Sequence, residues 1–89
     1  MKEFRVYKAI VEREVKASDM DMCPTTDFEK LLDDMFSTET SAVNAAKLMF
    51  EKTDISSFVV SVYAQVRAFS VTEEGIKANE VVLNLFKKK

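Results

Sequence analysis

The most constraining feature of the sequence is a run of strict alternation from Phe58 to Val71. Apolar side chains recur there at every second position, while most residues between them are polar or aromatic. The alternating apolar residues are Phe58, Val60, Val62, Ala64, Val66 and Ala68. Because successive side chains of a β-strand point to opposite faces, the pattern predicts an antiparallel strand with one face on the core. The other face is then turned toward solvent or a partner.

The segment that follows this strand has two interpretations. As a helix, Thr72 would cap its start, but Gly75 would lie in the first turn, where glycine is unfavourable. As a strand, the alternating apolar residues of Glu80–Phe86 fit a sheet, and Gly75 serves the preceding turn. The β-branched and aromatic content favours the strand, which would form a hairpin with the first one. The sequence leaves the helix open as the alternative for Glu80–Phe86.

The N-terminal segment is also ambiguous. Phe4 and Val6 share one parity, whereas Val11 and the apolar residues after it share the other. One extra residue in a strand turns every later side chain to the opposite face, so a β-bulge near Tyr7–Ile10 would reconcile the two sets. We predict such a bulged strand over Glu3–Ala17, with a helix as the alternative.

The middle of the chain carries two helical patterns. Thr26 and Glu29 have the spacing of a capping box, in which the threonine hydroxyl accepts the Glu29 backbone amide and the glutamate side chain reaches back. An apolar stripe at helical spacing accompanies it, made of Phe28, Leu31, Leu32, Met35 and Phe36. A second helix is predicted from about Glu39 to Lys52. Its inward-facing residues are expected to be Ala42, Ala45, Ala46, Met49 and Phe50.

These segments predict a strand, two helices and two further strands along the chain. Helices packed on one face of a small antiparallel sheet are a layered arrangement that buries such elements. We therefore predict an α+β fold with a three-stranded antiparallel sheet, in the order β-α-α-β-β, and two helices on one face. The chain has 89 residues, so residues 1–89 are expected to form a single compact domain. Residues 87–89 are all lysine, and we expect them to be a mobile basic end.

Missing residue types narrow the range of functions. The chain has no histidine, one glycine and one cysteine, which excludes Ser-His and Cys-His nucleophile pairs, ordinary zinc sites and glycine-rich phosphate loops. We therefore expect neither an enzyme nor a cofactor or metal site. A single cysteine cannot form an internal disulfide, and no apolar run reaches the roughly 18 residues of a membrane span. A cytoplasmic protein without a membrane partner is expected.

Two weaker features precede the first predicted helix. Asp19 and Asp21, with Asp27 nearby, offer carboxylates to a hard cation, but they are too few for a calcium loop and are better explained as solvated connecting residues. Cys23 lies just before the predicted helix start, where a thiol pKa can be lowered. The sequence leaves open whether Cys23 is reactive, and an unreactive, half-buried cysteine is favoured.

Charge is distributed unevenly along the chain. Residues 19–54 hold three basic and nine acidic side chains, whereas residues 1–18 and 55–89 each hold five basic and three acidic ones. The predicted helical layer is thus acidic and the sheet mildly basic. The simplest interpretation is that the acidic helices form a solvent-exposed surface. The same separation of charge would also suit a partner of opposite charge. The candidate partner-binding residues lie on the outward strand face and on the acidic helices. They are Tyr63, Arg67, Phe69, Asp27, Asp33 and Asp34.

The sequence therefore predicts a small non-catalytic binding protein that acts on another protein as an inhibitor or adaptor. Proteins of this size and character are common among phage and mobile-element products that block a host enzyme or defence system, and such a product would work in the host cytoplasm. The alternative is a nucleic-acid-binding accessory protein that uses the basic sheet face and the lysine tail. Interleaved aromatic and basic side chains on a sheet can stack bases and contact phosphates.

Self-association is a further expectation. A small sheet has two edges, and an uncovered edge strand presents unpaired backbone groups to other strands. A symmetric dimer is the simplest closed arrangement, since one self-complementary patch suffices. We predict a homodimer whose contacts involve an edge strand and Tyr63, Phe69 or Phe86.

Overall fold

The computed structural model describes residues 4–16 and 26–88. Within these residues the chain forms four strands and one helix: β1 (Phe4–Lys16), β2 (Thr26–Phe36), α1 (Glu39–Lys52), β3 (Val59–Thr72) and β4 (Gly75–Lys88). The strands build one antiparallel sheet in the order β2-β1-β3-β4. β1 and β3 are central, β2 and β4 lie at the edges, and α1 packs against one side of the sheet.

The predicted fold, a three-stranded sheet with two helices, is wrong in its middle segment. Residues 26–36 form an edge strand instead of a helix, and their backbone pairs with β1 from Thr26 opposite Lys16 to Phe36 opposite Tyr7. The helical spacing of the apolar residues is misleading because a β-bulge lies at Leu31, between the pairs Leu32–Val11 and Lys30–Glu12. The bulge lets two adjacent leucines reach the core, which a regular strand does not allow.

The predicted capping box is also wrong, because its two side chains pair with the neighbouring strand. The Thr26 hydroxyl donates to Glu14 Oε2 at 2.8 Å. The Glu29 carboxylate accepts from Arg13 Nη2 at 2.8 Å and from its Nε at 3.1 Å. Both contacts join β2 to β1 across many intervening residues. Pairing of this segment with β1, which is distant in sequence, therefore outweighs its local preference for a helix.

The helix predicted over Glu39–Lys52 is confirmed. The Thr38 hydroxyl caps its start by accepting the Ser41 amide at 3.2 Å, and Glu39 lies in the first turn, where a negative charge suits the helix dipole. At the other end, Lys87 of β4 donates to the Phe50 carbonyl at 3.0 Å, and its ammonium lies 4.7 Å from the centre of the Phe50 ring. The helix is thus fixed at both ends, and its C-terminal end is held by the last strand.

The strands at the C-terminal end are confirmed, and the second of them is longer than predicted. β3 covers Val59–Thr72, and the strand interpretation of residues 80–86 is correct within a β4 that begins at Gly75 and continues through Lys88. Gly75 follows the tight turn between them with a φ of +112°, a conformation that side chains rarely adopt. Lys89 of the lysine end lies outside the described residues.

The core lies between α1 and the central strands. Its fully buried members are small or medium aliphatic residues: Ala9, Val11, Ala42, Ala46, Val62, Ala64 and Val66. Two fully buried alanines of α1, Ala42 and Ala46, face the sheet and let the helix lie close to it, while Val43, Met49 and Phe50 pack around them. The predicted alternation therefore holds from Val62 to Ala68. It fails at Phe58, which is 71% exposed, because Val60 is an extra residue between the pairs Ser61–Glu14 and Val59–Val15.

The bulge predicted near Tyr7–Ile10 of β1 is wrong. β1 pairs without a break from Phe4 to Glu14 with β3, and from Tyr7 to Val11 with β2. The two parities seen in the sequence have another origin, since Ala9 and Val11 face the helix while Phe4 and Val6 face the opposite side. Both sides of the sheet carry apolar groups, and no bulge is needed to reconcile them.

Candidate protein-binding face

The side of the sheet that faces away from α1 is the candidate functional site, called the outer face below. Residues paired across antiparallel strands point to the same side, so the register assigns each residue to a face. From the central strands the outer face receives Phe4, Val6, Lys8, Ile10, Glu12 and Glu14 of β1, and Ser61, Tyr63, Gln65, Arg67, Phe69 and Val71 of β3. The two edge strands extend the face on either side.

Exposed apolar side chains are concentrated on this face. Among the described residues, eight large hydrophobic side chains are strongly exposed, and six of them belong to the outer face. Those six are Phe4, Phe28, Met35, Ile76, Val81 and Phe86, with exposed fractions from 47% to 69%. The other two are Leu48 on α1 and Phe58 just before β3. Single exposed hydrophobic residues are ordinary, but a contiguous set of this kind marks an interaction surface.

Charged groups are ordered along the middle of the outer face. Glu12 pairs with Tyr63 and Lys8 pairs with Arg67, with the pair Ile10–Gln65 between them. Moving along β1, the outward side chains therefore change from basic at Lys8 to acidic at Glu12 and Glu14. The acidic and basic positions are about 13 Å apart, as four residues of a strand dictate.

The acidic group at the end of this series is held in place by hydrogen bonds. Glu14 accepts from the Ser61 hydroxyl at 3.1 Å on one carboxylate oxygen and from the Thr26 hydroxyl at 2.8 Å on the other. Ser61 of β3 is the register partner of Glu14, and Thr26 of β2 lies diagonally from it, opposite Lys16. The carboxylate thus bridges three neighbouring strands, and its position on the face is fixed.

The basic groups are held in the same way. Arg67 donates from Nε to Gln65 Oε1 at 2.8 Å and from Nη1 to Asn79 Oδ1 at 3.0 Å. Its guanidinium thus contacts side chains of both β3 and β4, and both of these acceptors are neutral amides.

Asp33 of β2 is the partner of two lysines on the outer face. Lys30 Nζ lies 3.3 Å from Asp33 Oδ2, and Lys8 Nζ lies 3.6 Å from Asp33 Oδ1. The hydrogen bond from Lys30, together with the positive charges of Lys8 and Lys30, lowers the pKa of Asp33 from its ordinary value of 3.8. All three side chains are substantially exposed, so these ion pairs add little to stability and mainly fix the side chains on the face.

Open depressions lie at the two ends of the face. One has a volume of about 310 Å³ and is lined by Glu12, Glu14, Phe28, Ser61, Tyr63, Phe86 and Lys88. Another has a volume of about 230 Å³ and is lined by Val6, Lys8, Met35, Phe69, Val71 and Ile76. Each combines aromatic or aliphatic walls with a charged residue, and every lining residue belongs to the outer face. The face can therefore receive side chains from a partner at both ends.

The residues predicted from the sequence fall on two sides of the sheet. Tyr63, Arg67 and Phe69 lie together on the outer face, as does Asp33. Asp34 and Asp27 point to the other side of β2, since their partners are Ala9 and Val15. The acidic helical surface expected over residues 26–36 does not exist, because that segment is a strand. Asp19, Asp21 and Cys23 lie outside the described residues.

Sequence reasoning missed most of the apolar part of the face. The sequence pattern places Phe28 and Met35 in a buried helical stripe, yet they are 69% and 57% exposed. The sequence does contain a signal for Phe4 and Val6. They lie at even positions of β1, whereas the buried residues of that strand lie at odd positions, so they must face the opposite side of the sheet. A strand with apolar residues at both parities indicates a sheet whose two sides are both apolar.

The described residues contain no group of three or more acidic, cysteine or histidine side chains that could hold a metal ion. In the same ranges, the helix α1 is too short and too polar to cross a membrane.

Comparison with known proteins adds no relationship: no family model, no curated protein and no solved structure matches the chain.

Proposed function

We propose that the chain is a small non-catalytic binding protein that acts on another protein, as an inhibitor or adaptor, by covering a surface of that protein with its outer face. The observation that carries this proposal is the concentration of exposed aromatic and aliphatic side chains on one side of the sheet. Protein interfaces are enriched in aromatic residues, methionine and arginine, and the outer face holds all of these.

The shape of the face favours a protein over a small molecule. Small-molecule sites are concave and enclose most of their ligand, whereas the depressions near Tyr63 and Phe69 are open and lie at opposite ends of a long surface. A partner that presents several side chains across a surface would fill both. Because the face is formed by hydrogen-bonded strands, little ordering of the backbone would be needed on binding.

The charges of the face argue against nucleic acid as the partner. Glu12 and Glu14 lie beside Tyr63 and Ser61, so an aromatic ring that would stack a base is next to two carboxylates that repel phosphate. The nearby Asp33 carboxylate, 3.6 Å from Lys8 Nζ, adds a further negative charge to this part of the face. Proteins that bind single strands instead combine stacking residues with a continuous basic groove.

The test is capture of a partner by the immobilised chain from extracts of the cells that express it. Phe28→Glu and Phe86→Glu place a charge at exposed positions of the outer face, where folding should tolerate it. The matched control is Leu48→Glu, which places the same charge at a 61% exposed position on α1. We expect one protein to be retained by the unaltered chain and by the control, but not by the two outer-face variants.

Two results would contradict the proposal. One is capture that the outer-face variants retain, since the partner would then bind elsewhere. The other is tight binding of single-stranded RNA or DNA that falls steeply between low and high salt, as phosphate contacts dictate. That second result would support the nucleic-acid alternative.

A further inference from the structure

We infer that a second copy of this chain binds to the outer face, sheet against sheet, with its strands running in the reverse direction. The inference rests on the proposed function, because it assigns an occupant to the same face. The homodimer is then the form of the isolated protein, and a foreign partner competes with the second copy.

The order of charges along the two central strands is self-complementary in only one of the two symmetric arrangements. Consider a two-fold axis that lies between the sheets, perpendicular to the strands, and passes over the pair Ile10–Gln65. It places β1 over β1 of the second copy in reverse, so that Glu12 comes opposite Lys8. On β2 the axis brings Asp33, the partner of Ile10, opposite Asp33 of the second copy, and the ion pairs with Lys8 and Lys30 offset the charge of each carboxylate. Each dimer contains this opposition of unlike charges twice.

The same axis brings the central residues of β3 into a favourable arrangement. Tyr63 comes opposite Arg67 of the second copy, because these two residues are equally distant from Gln65. A guanidinium against a tyrosine ring is an attractive pair. The other arrangement, with the axis parallel to the strands, places β1 over β3 and therefore Lys8 opposite Arg67. Like charges in contact disfavour that orientation.

The size of the face matches what a stable dimer needs. The central strands have 13 and 14 residues, which corresponds to about 45 Å at the usual rise. Strands spaced about 4.8 Å apart give the sheet a width of roughly 19 Å, and hence about 800 Å² for each copy. Standard protein interfaces bury about 800 Å² per partner. Two sheets packed face to face at about 10 Å form a common arrangement.

The first test is the mass and contact pattern of the purified, unaltered chain. Sedimentation at micromolar concentration should give twice the chain mass of 10.1 kDa. The chain is also prepared in an isotope-labelled (heavy) form and mixed with the unlabelled (light) form. A zero-length carbodiimide cross-linker should then join Glu12 of a heavy chain to Lys8 of a light chain, and the reverse. Within one chain these residues are about 13 Å apart on the same strand, so this product must come from two copies. A monomer at this and higher concentrations, or a dimer without the cross-link, would overturn the inference.

The second test is exchange of charges between copies. Lys8→Glu alone should place glutamate opposite Glu12, and Glu12→Lys alone should place lysine opposite Lys8, so each variant should dimerise at least about tenfold more weakly. A one-to-one mixture of the two variants should form a heterodimer near the original affinity, since both oppositions between positions 8 and 12 are again of unlike charges. The matched controls are Lys47→Glu and Glu51→Lys on α1, which should leave dimerisation unchanged. Circular dichroism checks that each variant folds.

Each result bears on the inference separately from the proposed function. If the mixture does not recover dimerisation while the separate variants are folded, the reversed orientation is wrong. Because these measurements use only the purified chain, they can fail while capture of a foreign protein succeeds. Conversely, a stable homodimer in the absence of any captured partner would leave this inference intact and contradict the proposed function.

Discussion

Val66 lies in the middle of β3, fully buried between the sheet and α1, opposite Ala9 on one side and Leu83 on the other. The substitution Val66→Ala removes two methyl groups from the core. Burying these two groups away from water on folding contributes about 1.6 kcal/mol to stability, at roughly 0.8 kcal/mol each, and the variant loses this contribution. The cavity left behind adds up to about 1 kcal/mol, because neighbouring strands relax only in part. We expect the free energy of unfolding to fall by about 1.6–2.6 kcal/mol.

The matched control is Val81→Ala in β4, a valine on the outer face that is 47% exposed. It loses only about half of the transfer energy and leaves no closed cavity, so its cost should stay below about 1 kcal/mol. Urea unfolding of both variants, at a concentration low enough to keep the chain monomeric, measures the difference. For a domain of this size the Val66→Ala change corresponds to a decrease in Tm of about 6–21 °C. Equal losses in the two variants would show that the core does not lie on the α1 side of the sheet.

Three further predictions concern the helix and the outer face. Thr38→Ala removes the hydroxyl that accepts the Ser41 amide and should lower stability by about 1 kcal/mol in urea unfolding; an unchanged midpoint would show that the cap contributes nothing. Lys87→Met keeps the length of the side chain but removes its bond to the Phe50 carbonyl, so hydrogen exchange in the last turn of α1 should become faster, and an unaltered rate would contradict the contact. Because the pKa of Asp33 is lowered on folding, its ion pairs stabilise the fold above the ordinary carboxyl pKa and are lost as the pH falls through the lowered value. Titration by NMR should give a midpoint for Asp33 below 3.8, and a midpoint at or above that value would refute it.

The parts of the fold that depend on neighbours in sequence were predictable. Thr38 is a good N-cap and the alanines of α1 favour a helix, so both its limits and its buried face follow from local rules. The alternation of β3 likewise follows from a single strand that is buried on one side.

The parts that depend on pairing between distant segments were not predictable. The segment Thr26–Phe36 has a good local helix pattern, and only its hydrogen bonds with β1 make it a strand. The bulge at Leu31 hides the period-two signal that would have indicated this.

The candidate site divides in the same way. Tyr63, Arg67 and Phe69 were found because one strand places them on one side. Phe28 and Val81 join them only through the registers of the edge strands. No pattern within one segment states which residues of another segment will lie beside it, so a face built from several strands is only partly visible in the sequence.

The strand order has a consequence for how the chain reaches its folded state. β1 pairs with β2 and β3 pairs with β4, each within one half of the chain, whereas the central β1–β3 ladder joins the halves and aligns Phe4 with Val71. Closing such a long loop has a high entropic cost before any contact compensates it. We expect docking of the two antiparallel pairs to limit the refolding rate. Substitutions at Val11 and Ala64, which meet across this ladder, should therefore slow refolding in stopped-flow experiments more than Leu85→Ala, and equal effects would contradict this order of events. Until docking occurs, β1 and β3 each present an unpaired edge, and that interval is when the chain is most exposed to pairing with the wrong strand.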